Sequence, residues 1–291
     1  MRKKRSFPKR KIIKAIFFFL GLMICSYPLV SSIVEQKNLK DTVTTYQEQI
    51  ESTHTSEFED EMSLAREYNS ILYQSKGKVI DQVSNSMLSA ENYNQILNLT
   101  GNGIMGNVEI PKINVNLPIY HGTSDEVLAN GAGHMEGTSL PVGGKNTRTV
   151  LAGHTGLPNS KLFTRLDELE EGDLFYIKVC DEVLAYKVVG IEVIEPDEID
   201  KLEIVPEKDL VTLLTCTPYG LNTHRLIVTG ERVTYVEEEY QSIEAELTSS
   251  REIVFNVIPF VFVLLGVIDV LGGEKSRKKR RKRKGRTLQK K

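Results

Sequence analysis

The sequence is short of cysteine and shows no metal-binding pattern. Its 291 residues include three cysteines, Cys25, Cys180 and Cys216, and they give no sign of the disulfide framework of a small secreted domain. A bridge between Cys180 and Cys216 stays open for a protein outside the cell, although a buried structural thiol is the default expectation for Cys180. No His/Cys/Asp spacing is typical of a zinc or calcium site, so we predict no metal.

The chain also has little net charge, and this balance conceals a strong asymmetry. The formal net charge is −2, yet residues 1–14 carry eight Lys/Arg and no acid. Residues 274–291 carry twelve Lys/Arg against Glu274 alone, while residues 35–273 hold 17 Lys/Arg against 38 Asp/Glu. The middle of the chain is therefore acidic and both ends are basic.

Two apolar runs adjoin the basic ends. Residues 12–34 are interrupted only by Lys14, and residues 253–271 contain Asp269 near their far end. A membrane-spanning helix needs about 20 mostly apolar residues, and both runs reach that length. Because positive flanks stay on the cytoplasmic side, we predict a cell-membrane protein with both termini in the cytoplasm and residues 35–252 outside.

Each of these features has a competing interpretation. Residues 12–34 could be a cleaved signal peptide, but the run is long for one and no clear small-x-small cleavage site follows it. The basic tail could bind nucleic acid, but its place directly after an apolar run favours contact with anionic lipid. We therefore expect an uncleaved anchor and no nucleic-acid partner.

Between the apolar runs, a helical region precedes a β-rich one. Residues 35–75 have apolar side chains at helical spacing, and residues 76–103 are mixed and polar. From Val108 onward, short β-rich runs are separated by turn sequences such as PVGGKN, EEGD and TPYGLN, which predicts a closed or partly closed β-barrel. Short helices are predicted over residues 160–169 and after Val236, the latter leading into the second apolar run.

One cysteine, Cys216, lies at the exit of the strand-like run VTLLTC. A thiol is mostly protonated at neutral pH, so a reactive cysteine needs a partner that stabilises the thiolate or supplies a proton. Among the five histidines, His154 is the leading candidate because it also ends an apolar run, TVLAGH. His134 and His121 lie in glycine-rich turns and stay open as alternatives.

An arginine, Arg225, opens the next strand-like run, nine residues after Cys216. If the two strands pair, the guanidinium can donate to the oxyanion that forms when a thiolate attacks a carbonyl. The alternative is an ordinary surface arginine beside one of the many acids, and a strand-end cysteine is itself more often inert. His224 adjoins Arg225 and would point to the opposite face of the strand, and His54 belongs to the helical region.

The run TLLTC, with Arg225 on the following strand and GHTG upstream, resembles the signature of the sortase family. The longer sequence from GNVEIPKINVNLPIYHGTS through TLLTCTPYGLNTHRLIVTGER resembles the class C, pilus-assembling sortases over about residues 104–234. A C-terminal membrane span and a basic tail are also traits of that class. The resemblance implies a mainly β fold, an eight-stranded sortase barrel with short helices. The residue patterns described above further predict an N-terminal helical segment and two flanking transmembrane helices.

The resemblance also implies cysteine transpeptidation. The Cys216 thiolate would attack the Thr–Gly bond of an LPxTG-like sorting signal on a pilin, and a lysine amine of the next pilin would resolve the thioacyl-enzyme as an isopeptide bond. His154 would act as general acid and then general base, and Arg225 would stabilise the oxyanion and hold the signal peptide. Thr215, beside the cysteine, would help shape the groove. This chemistry requires no metal or organic cofactor.

One stretch departs from the class pattern. Class C sortases commonly carry a lid in which an Asp-Pro-aromatic triplet plugs the active site, whereas the corresponding stretch here contains no Asp-Pro. Asp81 is followed by Gln82 and Val83. We therefore expect an open or differently closed groove with a mobile segment over residues 76–100, and the alternative is a lid built from other residues.

The resemblance and the residue patterns together predict an organisation and leave competing functions. In chain order the predicted parts are a basic cytoplasmic N-terminus (1–11), a transmembrane anchor (12–34), a helical and lid-like region (35–103), the catalytic barrel (104–236), a linker helix (237–252), a transmembrane helix (253–271) and a basic cytoplasmic tail (272–291). The competing functions are a cell-wall-anchoring sortase, a hydrolytic cysteine peptidase, and a membrane-tethered scaffold or adhesin in which Cys216 is inert.

Overall fold

A computed structural model describes residues 9–53, 55–75, 86–156, 162–243, 257 and 261–266. The chain divides into two units, one formed by Ser32–Leu247 and the other by the two ends, Met1–Ser31 with Thr248–Lys291. In the unit formed by the ends, residues 261–266 are helical, and a Cβ on Gly266 would lie 2.2 Å from the ring of Phe18. The close approach therefore depends on a residue without a side chain.

The helices follow the pattern predicted from the sequence over most of their length. The α-helices are α1 (Lys9–Glu51), α2 (Thr55–Ser75), α3 (Ala90–Gln95), α4 (Asp125–Asn130) and α5 (Glu237–Ser242), and short 3-10 turns lie at Pro111–Ile113, Leu166–Glu168 and Ile199–Leu202. The helical prediction for residues 35–75 is confirmed by α1 and α2. The linker helix predicted after Val236 is confirmed over its described part, α5.

Eight strands close into a barrel, which confirms the predicted mainly β, eight-stranded barrel. They are β1 (Ile104–Ile110), β2 (Val115–His121), β3 (Ala132–His134), β4 (Thr147–Ala152), β5 (Leu174–Val179), β6 (Glu182–Ile194), β7 (Asp209–Thr217) and β8 (His224–Val233). Around the barrel their order is β1-β2-β3-β4-β7-β8-β6-β5. The pairs β2–β3 and β4–β7 are parallel, and the other neighbouring pairs are antiparallel.

The helices before the barrel pack on it as part of the same core. Side chains at helical spacing in α1 are buried, among them Val43 and Tyr46, and the Tyr46 hydroxyl donates to the Met105 carbonyl at 3.2 Å. In α2, the buried Asn69 amide both donates to and accepts from the Leu140 backbone, at 3.0 and 2.7 Å. A side-chain amide that pairs with a backbone amide in this way fixes α2 against the loop before β4.

The predicted membrane spans are not supported by the described residues. Among those residues, no helix is both long enough and apolar enough to cross a membrane. The first apolar run, residues 12–34, falls within α1, whereas most of residues 253–271 lies outside the described part of the chain.

One predicted helix is replaced by a tighter turn. The sequence predicts a short helix over residues 160–169, but the described part of that stretch contains only the 3-10 turn Leu166–Glu168. Phe163 and Leu166 are both fully buried, and Phe163 packs on Gly153, where a Cβ would lie 2.5 Å from the ring. Anchoring two apolar side chains three residues apart suits the three-residue repeat of a 3-10 turn, so packing overrides the helical pattern.

The close approach of β1 to β5 generates a stability prediction. A Cβ on Gly106 would lie 2.4 Å from the Lys178 carbonyl oxygen, and a backbone atom cannot move aside cheaply, so Gly106→Ala should lower the free energy of unfolding by roughly 1–3 kcal/mol. The matched control is Gly190→Ala in β6, where no atom lies within 4 Å of the added Cβ. Denaturant unfolding of the purified proteins measures both. Equal stability of the two variants would contradict the predicted clash.

Candidate active site

The parallel pairing of β4 with β7 brings two of the predicted site residues to one edge of the barrel. Ala152 is level with Leu214 in this pair. His154 lies two residues after Ala152, and Cys216 lies two residues after Leu214. Between these levels the Gly153 amide still donates to the Leu214 carbonyl at 3.0 Å. Because parallel strands end on the same side of a sheet, the imidazole and the thiol leave neighbouring strands at the same level.

The third predicted residue, Arg225, lies directly opposite Cys216 in β8, which is the neighbour of β7 on the side away from β4. Antiparallel pairing of β7 with β8 sets the two residues in register, so their side chains share one face of the sheet. The Arg225 Nη1 donates to the carbonyls of Asn222 and His224, at 3.3 and 3.0 Å. Both contacts use Nη1, which leaves Nε and Nη2 without a partner among the described residues.

A buried hydrogen bond fixes the spacing between the cysteine strand and the histidine strand. The Thr215 hydroxyl donates to the Gly153 carbonyl at 2.7 Å, and Thr215 is 3% exposed. These two residues immediately precede Cys216 and His154. The structure therefore places Thr215 beneath the site, where it ties the two strand ends together, and not on the open surface of a groove.

Two hydrogen bonds hold the described residues that follow His154. The Phe163 amide donates to the His154 carbonyl at 3.1 Å, and the Gly156 amide donates to the Thr164 hydroxyl at 3.1 Å. The phenol ring of Tyr219, from the loop between β7 and β8, lies over Gly156, where an added Cβ would come 3.3 Å from it. Tyr219 was not singled out from the sequence, although it is the one aromatic residue between Cys216 and Arg225.

Hydrogen bonding distinguishes His134 and His121, the histidines that competed with His154, and His134 is also buried. His134 is 0% exposed, its Nε2 lies 2.8 Å from the Ser139 carbonyl, and its Nδ1 lies 2.9 Å from the Tyr93 hydroxyl. The network assigns the proton to Nε2, with Nδ1 accepting from Tyr93. His121 has both ring nitrogens near backbone carbonyls, those of Gly103 and Ile96, at 3.0 and 2.9 Å. Both rings are therefore structural.

The remaining histidines do not join the site. His224 lies 3.2 Å from Glu195 through Nε2 and 2.8 Å from the Thr223 hydroxyl through Nδ1. His224 therefore connects the end of the β7–β8 loop to the start of the connection between β6 and β7. His54 lies outside the described residues.

The two described cysteines are free and differ in environment. Cys180 and Cys216 form no disulfide, so the bridge that the sequence left open is absent from the described residues. Burial raises the pKa of the Cys180 thiol to about 12, and the nearby carboxylates of Glu61, Asp181 and Glu182 act in the same direction. A thiol held protonated in this way is a poor nucleophile, which is consistent with a structural role for Cys180.

The expected mobile segment over residues 76–100 is contradicted where the structure describes it, because Tyr93 and Leu97 are buried in the core. Residues 76–85 lie outside the described part of the chain, so the expected mobile segment there stays a prediction. In the described stretch after them, the Tyr93 hydroxyl contacts His134 and accepts from the Gly122 amide at 2.9 Å. Among the described residues, no group of three His, Cys, Asp or Glu side chains could hold a metal ion.

Residues 108–233 match the Sortase domain family. Sortase D of Bacillus subtilis is 34% identical to the chain over 132 residues, which are 44% of this chain and 64% of that protein. The match to this curated relative therefore spans slightly less than two thirds of the relative's own length.

Solved structures match a larger share of the chain. The X-ray structure of Clostridium perfringens sortase C with the C-terminal cell wall sorting motif is 44% identical, with a TM-score of 0.57, and the match covers 67% of this chain and 99% of that one. The crystal structure of Streptococcus pneumoniae sortase C, an enzyme described with regard to its pilin substrate specificity, is 39% identical, with a TM-score of 0.57 and coverage of 67% and 97%.

The buried His134 generates a prediction about stability and pH. Burial lowers the pKa of His134 to about 4, whereas an unfolded histidine titrates near ~6.5. Between these two pH values, this histidine is protonated in the unfolded state and neutral in the folded state. The free energy of unfolding should therefore fall as the pH drops through that window, by up to roughly 3 kcal/mol from this residue. Thermal unfolding between pH 7 and pH 4 measures the effect.

Two variants isolate the contribution of His134. His134→Gln should be less stable than wild type at pH 7 but should lose less further stability on acidification, because the titrating group is gone. His224→Gln, which removes a more exposed ring, should keep the wild-type pH dependence. A wild-type slope in His134→Gln would show that other groups cause the acid sensitivity.

Proposed function

The chain belongs to the sortase family, and on that premise we propose that it is a cysteine transpeptidase that joins pilin subunits. The observation that carries the proposal is the strand register at one edge of the barrel. Cys216 lies opposite Arg225 in β8, and it leaves β7 at the level at which His154 leaves the parallel strand β4. A nucleophile, a proton carrier and a fixed positive charge therefore meet on one rigid frame.

In the first half-reaction, the Cys216 thiolate, whose proton has passed to His154, attacks the threonine carbonyl of an LPxTG-like sorting signal. The S–C bond forms as the carbonyl electron pair moves onto oxygen, and the Arg225 guanidinium stabilises that oxyanion. When the intermediate collapses, the C–N bond to glycine breaks and His154 donates a proton to the leaving amine. The products are a thioester on Cys216 and a peptide with a free glycine amine.

In the second half-reaction, a lysine amine of the next pilin attacks the thioester. His154, now neutral, accepts a proton from the attacking amine, and Arg225 again stabilises the oxyanion. The C–S bond then breaks, the sulfur is released as the Cys216 thiolate, and an amide joins the two subunits. Each proton that His154 gives in the first half-reaction is recovered in the second, so the chain requires no external cofactor.

The acceptor distinguishes this proposal from its nearest competitors. Anchoring to the cell wall and hydrolysis would use the same thioester and differ only in whether a cell-wall amine or water attacks it. Polymerisation is favoured because the two solved structures described above, which resemble this chain over two thirds of its length, are sortase C enzymes, and one of them is described with regard to its pilin substrate specificity. The acceptor lysine and the sorting motif have to be found by experiment.

The proposed enzyme acts at the outer face of the cell membrane, with both termini in the cytoplasm. Support comes from residues 12–34, where eleven large apolar side chains between Ile13 and Val34 are exposed. The first fourteen residues carry eight Lys/Arg and no acid, and the last eighteen carry twelve Lys/Arg. Basic flanks of this kind contact anionic lipid on the cytoplasmic side.

Thioester formation tests the proposed chemistry. Purified protein incubated with an LPxTG-type peptide should gain the mass of the peptide up to its threonine, and adding a pilin with its acceptor lysine should transfer that mass to the pilin. Cys216→Ala should form no adduct, whereas Cys180→Ala is the matched control and should react like wild type. His154→Gln and Arg225→Met should each slow the reaction by roughly 100-fold or more.

The outcomes separate the competing functions. Transfer to water alone would indicate a peptidase, and transfer to a cell-wall amine in place of a pilin lysine would indicate anchoring. Failure of wild type to react with any sorting peptide, with pilus polymer unchanged in cells carrying Cys216→Ala, would overturn the enzymatic proposal and leave the scaffold.

Topology is tested separately from chemistry. In intact protoplasts, an added protease should cleave within residues 35–252 and spare epitope tags placed at either terminus, because the membrane would shield them. Replacing the Lys/Arg of residues 1–11 with Ser should weaken this orientation. Cleavage of both tags in sealed cells, or recovery of the chain in the soluble fraction, would contradict the proposed location.

A further inference from the structure

An aromatic ring spans the gap between the end of the cysteine strand and the end of the histidine strand. Tyr219 belongs to the loop between β7 and β8, three residues after Cys216. One side of its phenol ring lies against Gly156, where an added Cβ would be 3.3, 3.5 and 3.6 Å from three ring carbons. Gly156 follows His154 by two residues. The loop that leaves the cysteine strand therefore reaches the chain that leaves the histidine strand.

The loop presents Tyr219 from a closed turn. The amides of Leu221 and Asn222 both donate to the Pro218 carbonyl, at 3.1 and 3.0 Å. The carbonyl of Asn222 in turn accepts from the Arg225 guanidinium at 3.3 Å. The turn that carries the ring is therefore held by its own backbone and by the arginine of the site.

The ring of Tyr219 is covered on one side and open on the other. Tyr219 is 51% exposed although it packs on Gly156. Leu221, in the same turn, is 73% exposed, and a single exposed apolar side chain of that kind needs no explanation. Tyr219 differs from it in place, because its ring adjoins the chain that follows His154. An aromatic face is therefore open to a ligand beside the reactive groups.

The order of the strands divides the site into two sides. Since β7 lies between β4 and β8, Cys216 has His154 on one side and Arg225 on the other. In the proposed reaction, Arg225 stabilises the oxyanion, whereas His154 exchanges a proton with the leaving amine and then with the incoming one. The acceptor amine must therefore reach the side of His154. The ring of Tyr219 lies over the chain on that side.

A lysine side chain matches the chemistry of this ring. Its methylene stem can pack on the phenol face, and its ammonium group, while still protonated, is attracted to that face. Residues 35–273 hold 38 Asp/Glu against 17 Lys/Arg, and this acidic balance further favours the approach of a cation. The ring therefore favours an amine at the end of an apolar stem over a small amine or water.

We propose that Tyr219 binds the acceptor lysine, holding its methylene stem so that the amine faces the thioester of Cys216 beside His154. This assignment rests on the proposed function, because it concerns the second substrate of that reaction. Tyr219 contacts the acceptor and takes no part in bond making. The competing role for the ring is to fill the space over Gly156.

Capture of the thioester by two different amines tests the inference. The full-length protein is acylated with an LPxTG-type peptide that ends at glycine, so the leaving group has no side chain to contact the ring. Nα-acetyllysine amide is the acceptor with a stem, and hydroxylamine is a small amine without one. In Tyr219→Ala, kcat/KM for the lysine amide should fall roughly tenfold, whereas thioester formation and capture by hydroxylamine should stay within about twofold of wild type.

Three further variants separate the aromatic face from the bulk of the side chain. Tyr219→Phe keeps the face and should keep most of the wild-type selectivity for the lysine amide over hydroxylamine. Tyr219→Leu keeps an apolar contact with Gly156 and loses the face, so its selectivity should lie between those of Tyr219→Ala and wild type. Leu221→Ala is the matched control from the same turn and should behave like wild type.

The outcomes separate recognition of the acceptor from support of the site. Unchanged selectivity in Tyr219→Ala would overturn the inference. An equal loss of capture by both amines, or a matching loss of thioester formation, would show that the ring only maintains the site and would overturn it as well. Wild-type selectivity in Tyr219→Leu would replace aromatic recognition with packing on Gly156.

The same experiment distinguishes failure of the inference from failure of the proposed function. If wild type forms no thioester with any sorting peptide, the proposed function fails and the assignment of Tyr219 falls with it. If wild type forms the thioester but releases it only to water and hydroxylamine, the cysteine chemistry stands and the role of Tyr219 in binding lysine is overturned.

Discussion

The site depends on one constraint, the parallel pairing of β4 with β7. Parallel neighbours end on the same side of a sheet, so this pairing alone brings His154 and Cys216 to one level. The antiparallel neighbour β8 then sets Arg225 opposite the cysteine. A slip of one residue in either ladder would turn one of these side chains to the inside of the barrel. The three reactive groups can therefore meet only if both pairs of strands keep this register.

Buried contacts beneath the site maintain that register. The bond from Thr215 to the Gly153 carbonyl joins the two strands one residue before the reactive groups, and the ring of Phe163 fills the space left by Gly153. On the outer face, the buried Arg148 of β4 donates to the Thr212 hydroxyl of β7 at 3.0 Å, which reinforces the same pair of strands further down. The contacts that support the functional side chains therefore lie in the layer below them.

Local patterns predicted most of the elements and the candidate residues, and the family resemblance implied the chemistry, whereas burial and distant contacts could not be predicted. Strand-end positions of Cys216 and His154 could be read from apolar runs, and the fold class followed from the spacing of turns. The sequence could not distinguish His154 from His134 and His121. Only the structure shows that the ring of His121 contacts two backbone carbonyls and that the ring of His134 contacts a backbone carbonyl and a tyrosine hydroxyl. Arg148 offered no signal, since its partner Lys201 lies 53 residues away.

The distance along the chain between the two halves of the site has a consequence for how the molecule comes into being. Thr215 and Gly153 are 62 residues apart, and the hairpin β5–β6 lies between them. A parallel ladder between such distant segments closes a long loop, so its entropy is lost before its contacts form. In a newly made chain, the thiol of Cys216 and the imidazole of His154 are therefore not yet held side by side. Reactivity arrives only with the completed barrel, and folding itself serves as the activation step.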